Sequence, residues 1–278
     1  KIINLKKDFL RNIGIKNAYS KEIIISKKLK IKDKKVIFFE NFYDHVVSRH
    51  SRAKTTAYLA IEPSKNQPPY IFFANGDSFK IDGNLNEDGF YDKLNIKRIK
   101  NNLQDIINTD HFFKSRPSDR HGIKDVTISN SGDIFIGHTD MNKAETCTYA
   151  SVLWAPAQIN LNDEIKFKQI YKTECIELKN GQENVAAAHM VGARINYNEL
   201  ENKLLLSVGM LNNFLLPQDN NSSYGKILEI KFNKDKLFKD KVNNPVVSFI
   251  AKGIRNPQGL ASCEMDIIFS SHGPKGGD

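Results

Sequence analysis

The sequence predicts an all-β fold, a β-propeller, on three observations: a weak internal repeat, strand-type alternation inside each repeat, and enough hydrophobic residues to fill a core. Four segments share one plan, in which a short apolar strand meets a polar turn and then a second, more strongly apolar strand. They are AYLAIEPSKNQPPYIFFANG from Ala57, GIKDVTISNSGDIFIGHTD from Gly122, GARINYNELENKLLLSVG from Gly192 and GLASCEMDIIFSSHG from Gly259. Their starts lie 65, 70 and 67 residues apart.

Inside the units Val126 and Ile128 alternate with polar neighbours, Ser131-Gly132 or Asn202 marks the turn, and Ile134/Ile136 or Leu204/Leu206 resumes the alternation. Further strands follow in ASVLWAP (150–156), KFKQIYK (166–172) and GKILEIKF (225–232). A unit of this kind cannot bury both faces of its sheet alone, so successive units stack radially as blades, with Gly122, Gly192 and Gly259 beginning equivalent inner strands. A β-sandwich with coincidental spacing is the competing architecture. The period exceeds the roughly 40–50 residues of compact blades, which predicts large loops.

Residues 1–50 fit the pattern less well, although ISKKLKIKDKKVIFFENF has the makings of a strand pair. The run NEDGFYDKLNIKRIKNNLQDIINTDHFF (86–113) predicts a short helix from about Ile96 to Ile107, inserted between blades. Residues 1–115 are therefore read as an N-terminal region with a divergent first blade and an inserted loop or helix. Residues 116–278 are read as blades.

Composition narrows the function classes. Of 278 residues, 40% are hydrophobic and 10% aromatic, as in globular proteins. The net charge of +9 comes largely from lysine, dense in KKLKIKDKK (27–35). No aromatic-flanked arginine stripe or reading helix accompanies it, so it is read as a solvated surface and no nucleic-acid partner is expected. No stretch approaches the roughly 18 apolar residues that span a bilayer, so no transmembrane segment is expected, and KIINLKKDFLRN lacks the apolar core of a signal peptide. Three cysteines exclude a disulfide framework, admit one bridge, Cys147 to Cys175, and leave the redox compartment open.

The most specific runs are GIRNPQGL (253–260) and SSHGPKGGD (270–278). Taken alone, Arg-Asn-Pro is an ordinary turn and Gly-Pro an ordinary loop. Together they resemble the signature of the soluble glucose/sorbosone dehydrogenases that use pyrroloquinoline quinone (PQQ). The run HGIKDVTIS (121–129) is similar to the blade entry that this family writes as Gly-Leu-Leu-Asp-Val, and AAAHMVGARI (186–195) resembles its His/Gly/Arg segment. The likeness covers about residues 115–278.

The resemblance implies a six-bladed propeller with PQQ over its central channel, and PQQ- and calcium-dependent oxidation of an aldose sugar to its lactone by hydride transfer, with electrons leaving to an external acceptor. It implies a periplasmic or secreted location, and two further blades beyond Asp278, where this chain stands inside its fourth. PQQ is a planar tri-carboxylate with an ortho-quinone and needs cations and planar donors, which suits Arg255 and Asn256 at the family's quinone-edge positions. Gly273 and Pro274 match the peptide whose carbonyls hold calcium, a hard cation that takes oxygen ligands. His189 matches the base that takes the sugar hydroxyl proton, and a neutral imidazole is available for this near neutral pH. His272 is expected close to the cofactor, and Arg120 stands where the family favours a Gln that contacts substrate or cofactor.

Departures accompany the likeness. His189 precedes Arg194 by five residues rather than four, Ala188 replaces an acidic neighbour, and Ser271 stands where the family has Glu. Ala188, Arg120 and the shifted His189 favour, as the alternative, a non-catalytic propeller that binds carbohydrate or protein. A metal-dependent lactonase would need a cluster of inward carboxylate ligands, and the sequence shows none.

Overall fold

The computed structural model of the chain describes residues 24–31, 34–40, 57–60, 70–74, 76–82, 95–107, 121–142, 146–156, 164–177, 191–211, 213–234, 236, 244–263 and 266–273. Antiparallel strands dominate, as the alternation predicts. Strands β1 (Ile24–Ile31) and β2 (Lys34–Glu40) form a separate hairpin. The first blade holds β3 (Ala57–Ala60), β4 (Tyr70–Phe73), β5 (Ser78–Asp82) and β6 (Asn95–Arg98), hydrogen-bonded in that order. The second holds β7 (Gly122–Ile128), β8 (Ile134–Met141), β9 (Cys147–Ala155) and β10 (Lys168–Lys172), with β11 (Ile176–Glu177) also paired to β9.

The third blade is β12 (Gly192–Asn198), β13 (Lys203–Val208), β14 (Lys226–Lys231) and β15 (Val246–Lys252), and the fourth shows β16 (Pro257–Cys263) and β17 (Asp266–Ser271). Each blade is a meander that begins on its inner strand. The inner strands stand side by side in sequence order, β3 against β7, β7 against β12 and β12 against β16. The bridge that the cysteines admit is formed, joining Cys147 at the start of β9 to Cys175 just before β11.

Two expectations are corrected. The fourth inner strand begins at Pro257, not Gly259, because Pro257 already pairs with Ser271 and a bulge separates it from Gly259. The helix expected over 96–107 is cut to a single turn: Ile96–Arg98 belong to β6, where Ile96 pairs with Ile81 of β5, and only α1 (Leu103–Ile106) is helical. The strand gives the backbone of Asn95–Arg98 a ladder on β5, while Leu103 and Ile107 sink into the core.

The second blade shows why the sandwich reading fails. Every residue of β8 and β9 is buried, and the alternation divides their side chains between two cores. Ile134, Ile136, Leu153 and Ala155 join Phe72, Leu103 and Phe167 against the first blade. Phe135, Ala150, Val152 and Trp154 join Ile195, Leu206 and Leu228 against the third. A sheet covered on both faces by its sequence neighbours is a propeller blade. The Phe135 and Tyr197 rings stack at 4.8 Å across the second interface.

The blades also approach closely at their inner ends. Gly192 has φ +72°, and a Cβ there would lie 2.7 Å from Pro257 Cγ. Only glycine meets both demands.

Candidate functional site

The fourth hairpin gathers the motif residues. Because Pro257 pairs with Ser271, the flanking residues Asn256 and His272 face each other, and the His272 N–H donates to the Asn256 carbonyl at 2.8 Å. The Asn256 N–H reaches Ser271 Oγ at 3.4 Å, and Gln258 Nε2 donates to Asn256 Oδ1 at 2.6 Å. Arg255 folds its guanidinium over the returning strand, where Nη1 donates to the His272 carbonyl at 3.0 Å and lies 3.5 Å from His272 Nδ1. Arg255 and Asn256 are half-buried, His272 is exposed and Gly273 is buried. Four of the expected site residues thus stand together. His189, Arg120 and Pro274 lie outside the described residues.

The backbone beneath this group is fixed by main-chain hydrogen bonds that cross one end of the third blade. The Gly209 N–H donates to the Val191 carbonyl at 2.8 Å, Gly225 N–H to Gly209 carbonyl at 3.2 Å, and Ile254 N–H to Gly225 carbonyl at 3.0 Å. Met210 N–H then donates to the Arg255 carbonyl at 2.9 Å. The segment that leads into β12 and the one that carries Arg255 are therefore held to one rim.

Chemically, this rim presents donors. Among the described residues Arg255 engages the protein through Nη1 alone and Asn256 Nδ2 has no protein partner, so the rest of the guanidinium fork and an amide are left to pair with a ligand. That set fits a planar anionic group, which a guanidinium pairs in a bidentate manner. Among the described residues no three His, Cys, Asp or Glu side chains converge as a metal site.

Sequence reasoning missed a second polar cluster, on the inner strands. Asp125 Oδ1 accepts the Val126 N–H at 3.0 Å and Oδ2 accepts the Ile195 N–H at 3.1 Å, tying β7 to β12. The Arg194 guanidinium donates to the Lys124 carbonyl and lies 5.8 Å from the centre of the Tyr58 ring. Burial, with the Arg194 charge added, pushes the Lys124 ammonium down to about 8. Burial raises Asp125 and Tyr58 above their ordinary values, against the opposing pull of Arg194. The available signal was a lysine just inside a blade entry, in GIKDV. His138 on β8 was also passed over: it is fully buried, neither ring nitrogen has a hydrogen-bond partner among the described residues, and burial followed by the Lys172 charge pushes it down to about 3.

The profile of the glucose/sorbosone dehydrogenase family matches residues 117–278. Among solved structures, the soluble aldose sugar dehydrogenase of Escherichia coli in its apo form is 17% identical with a TM-score of 0.52, covering 80% of this chain and 58% of that one. A glucose dehydrogenase is likewise 17% identical with a TM-score of 0.50, over 80% of this chain and 58% of that one. Another is 16% identical with a TM-score of 0.50, over 80% and 63%. These likenesses show the propeller fold, and the chain spans about three-fifths of each relative's length. No curated protein matches the chain by sequence. The family profile covers more than half of the chain, including the Arg255–His272 rim, and the chain accordingly belongs to the glucose/sorbosone dehydrogenase family.

Proposed function

We propose that the chain forms the cofactor rim of a PQQ- and calcium-dependent dehydrogenase that oxidises an aldose sugar to its lactone. The observation that carries this reading is the Arg255–Asn256–His272 group, which gathers donors on one hairpin within the stretch that the family profile matches. PQQ, when bound, supplies the two-electron acceptor for the hydride lost from the sugar.

Arg255 binds the anionic edge of the cofactor with the N–H groups that His272 leaves free, in the bidentate manner of a planar guanidinium. Asn256 adds a neutral planar donor, with its carbonyl oxygen already held by Gln258. Calcium, if resident, takes main-chain oxygens of Gly273 and Pro274, since a hard cation accepts carbonyl ligands. His189 accepts the sugar hydroxyl proton, and the main-chain ladder anchored at Val191 sets the start of the strand that follows it. His272, beside Arg255, lies close to the cofactor, and Arg120, ahead of the second blade's glycine in sequence, contributes a further cofactor contact. The Cys147–Cys175 disulfide supports an oxidising compartment, the periplasm or the exterior. Electrons leave to an external acceptor.

The test is titration of the whole protein with PQQ and calcium, followed by dye-linked oxidation of a panel of aldoses. Arg255→Ala is expected to weaken PQQ binding by about 2–5 kcal/mol, because the buried anionic partner loses its donor. His189→Ala is expected to spare that binding and to lower turnover about a hundredfold or more. Absence of PQQ binding overturns the dehydrogenase reading, and full activity in His189→Ala removes the role given to that base.

A further inference from the structure

The inner strands of the second and third blades carry two cations, Lys124 and Arg194, that form no ion pair among the described residues. Lys124 sits at a bulge in β7, between Ile123 and Asp125, and Arg194 at a bulge in β12, between Gly192 and Ile195. Ala193 there takes the left-handed φ of +56°, which a residue with a Cβ adopts only under constraint. A bulge re-aims the side chain that it carries, and bulges recur beside binding sites. Both lie at the entries of their strands, the end at which Gly192 meets Pro257 and the Arg255 rim begins.

The groups around Lys124 and Arg194 come from three elements. Arg194 of β12 is a like charge beside Lys124, and around Arg194 in turn stand the Tyr58 phenol of β3 and the Asp125 carboxyl of β7. Both oxygens of Asp125 accept backbone N–H groups, from Val126 and Ile195, so the carboxylate is occupied in joining the strands. Lys124 makes no side-chain hydrogen bond and no ion pair among the described residues, and its ammonium is depressed to about 8 by burial and by Arg194. Arg194 donates to the Lys124 carbonyl and also engages Tyr58, and a guanidinium with five N–H donors keeps others for a ligand. Two neighbouring, partly desolvated cations repel unless an anion bridges them. A carboxylate fits, because its two oxygens satisfy a guanidinium and an ammonium at once.

We propose that Lys124 and Arg194 form a binding site for the carboxylate group of a small organic anion at the entry of the inner strands. The site goes beyond the dehydrogenase reading, because the two cations call for an anion whether or not the protein oxidises sugar. Two sources share the chemistry, a sugar acid and a carboxylate of PQQ.

Titration calorimetry with D-glucuronate, with PQQ and with neutral glucose, at pH 7 and pH 9, on the wild type and K124M, separates them. Binding of a carboxylate is expected to weaken about tenfold or more in K124M. In the wild type it weakens by a similar factor between pH 7 and pH 9, as the ammonium loses its proton, and in K124M that pH dependence disappears. Glucose binding stays unchanged. Loss confined to glucuronate identifies the sugar acid, and loss confined to PQQ identifies the cofactor. Equal carboxylate binding by wild type and K124M, or no binding of either, overturns the site. Should K124M not fold, NMR of ¹³C-methylated lysines in the wild type decides: Lys124 titrates at least about one pH unit higher with the bound carboxylate, and an unmoved titration overturns the site. Failure of PQQ binding with glucuronate binding intact would sink the dehydrogenase reading and leave this one standing.

Discussion

The second and fourth blades follow the same repeat and end in opposite environments. In the second, β8 and β9 are buried along their whole length, and successive side chains pass alternately into two cores. In the fourth, Ile268 is 60% and Phe269 41% exposed although they too alternate along a strand. Apolar alternation therefore specifies the strand, whereas burial comes from the blades on either side. The energy of the fold lies between sheets, and a blade is worth as much as the neighbours that cover it.

The sharpest test of that contrast is truncation of one aromatic in each blade. Trp154→Ala should cost about 3–5 kcal/mol in denaturant unfolding, since the indole is fully buried, while Phe269→Ala should cost about 1 kcal/mol or less. Equal losses would show that the fourth blade is as well packed as the second.

A smaller effect comes from adding a methyl. In Gly137→Ala the new Cβ falls 2.3 Å from the Ala193 carbonyl oxygen and 2.9 Å from Ile195 Cγ2, so the second and third blades must part, at about 1–3 kcal/mol. Gly259→Ala meets only the Ser270 Oγ at 2.9 Å, a hydroxyl that can rotate away, and should change the unfolding midpoint little. A reversal of this order would place the tightest contact inside the fourth hairpin rather than between blades.

The smallest expected effect is pH-dependent. His138, pushed down to about 3 within the second blade, stays neutral when folded, whereas the unfolded imidazole takes a proton near its ordinary 6.5. Its contribution is thus intact above pH 6.5 and lost as pH falls toward 3. Between pH 6.5 and pH 5 the loss is about 2 kcal/mol by linkage, and His138→Leu should flatten that part of the stability curve. An unchanged slope in the variant would assign the acid sensitivity elsewhere.

What could be read from the sequence follows the same division. The strand pairs from Ala57, Gly122 and Gly192 were legible because alternation is local, and Arg255, Asn256, His272 and Gly273 were legible because their motifs flank one hairpin. The start at Pro257 and the strand at Asn95–Arg98 were not, because each depends on a partner strand that the local pattern does not name. Lys124 and Arg194 escaped for a related reason. Their bulges exist only in the pairing of β7 with β8 and of β12 with β13, and the ring of inner strands brings them together across 70 residues of chain.

The main-chain ladder from Val191 through Gly209 and Gly225 to Ile254 bears on how such a rim survives divergence. Its links are amides and carbonyls, which a change of side chain leaves in place except at Gly225, where φ is +71° and a Cβ would lie 2.6 Å from Pro217 Cα. Proline, by deleting an N–H at 209, 210, 225 or 254, would cut a rung. A rim built this way can keep its geometry while the side chains around it drift, and a fold recognisable at 17% identity is what such a scaffold permits.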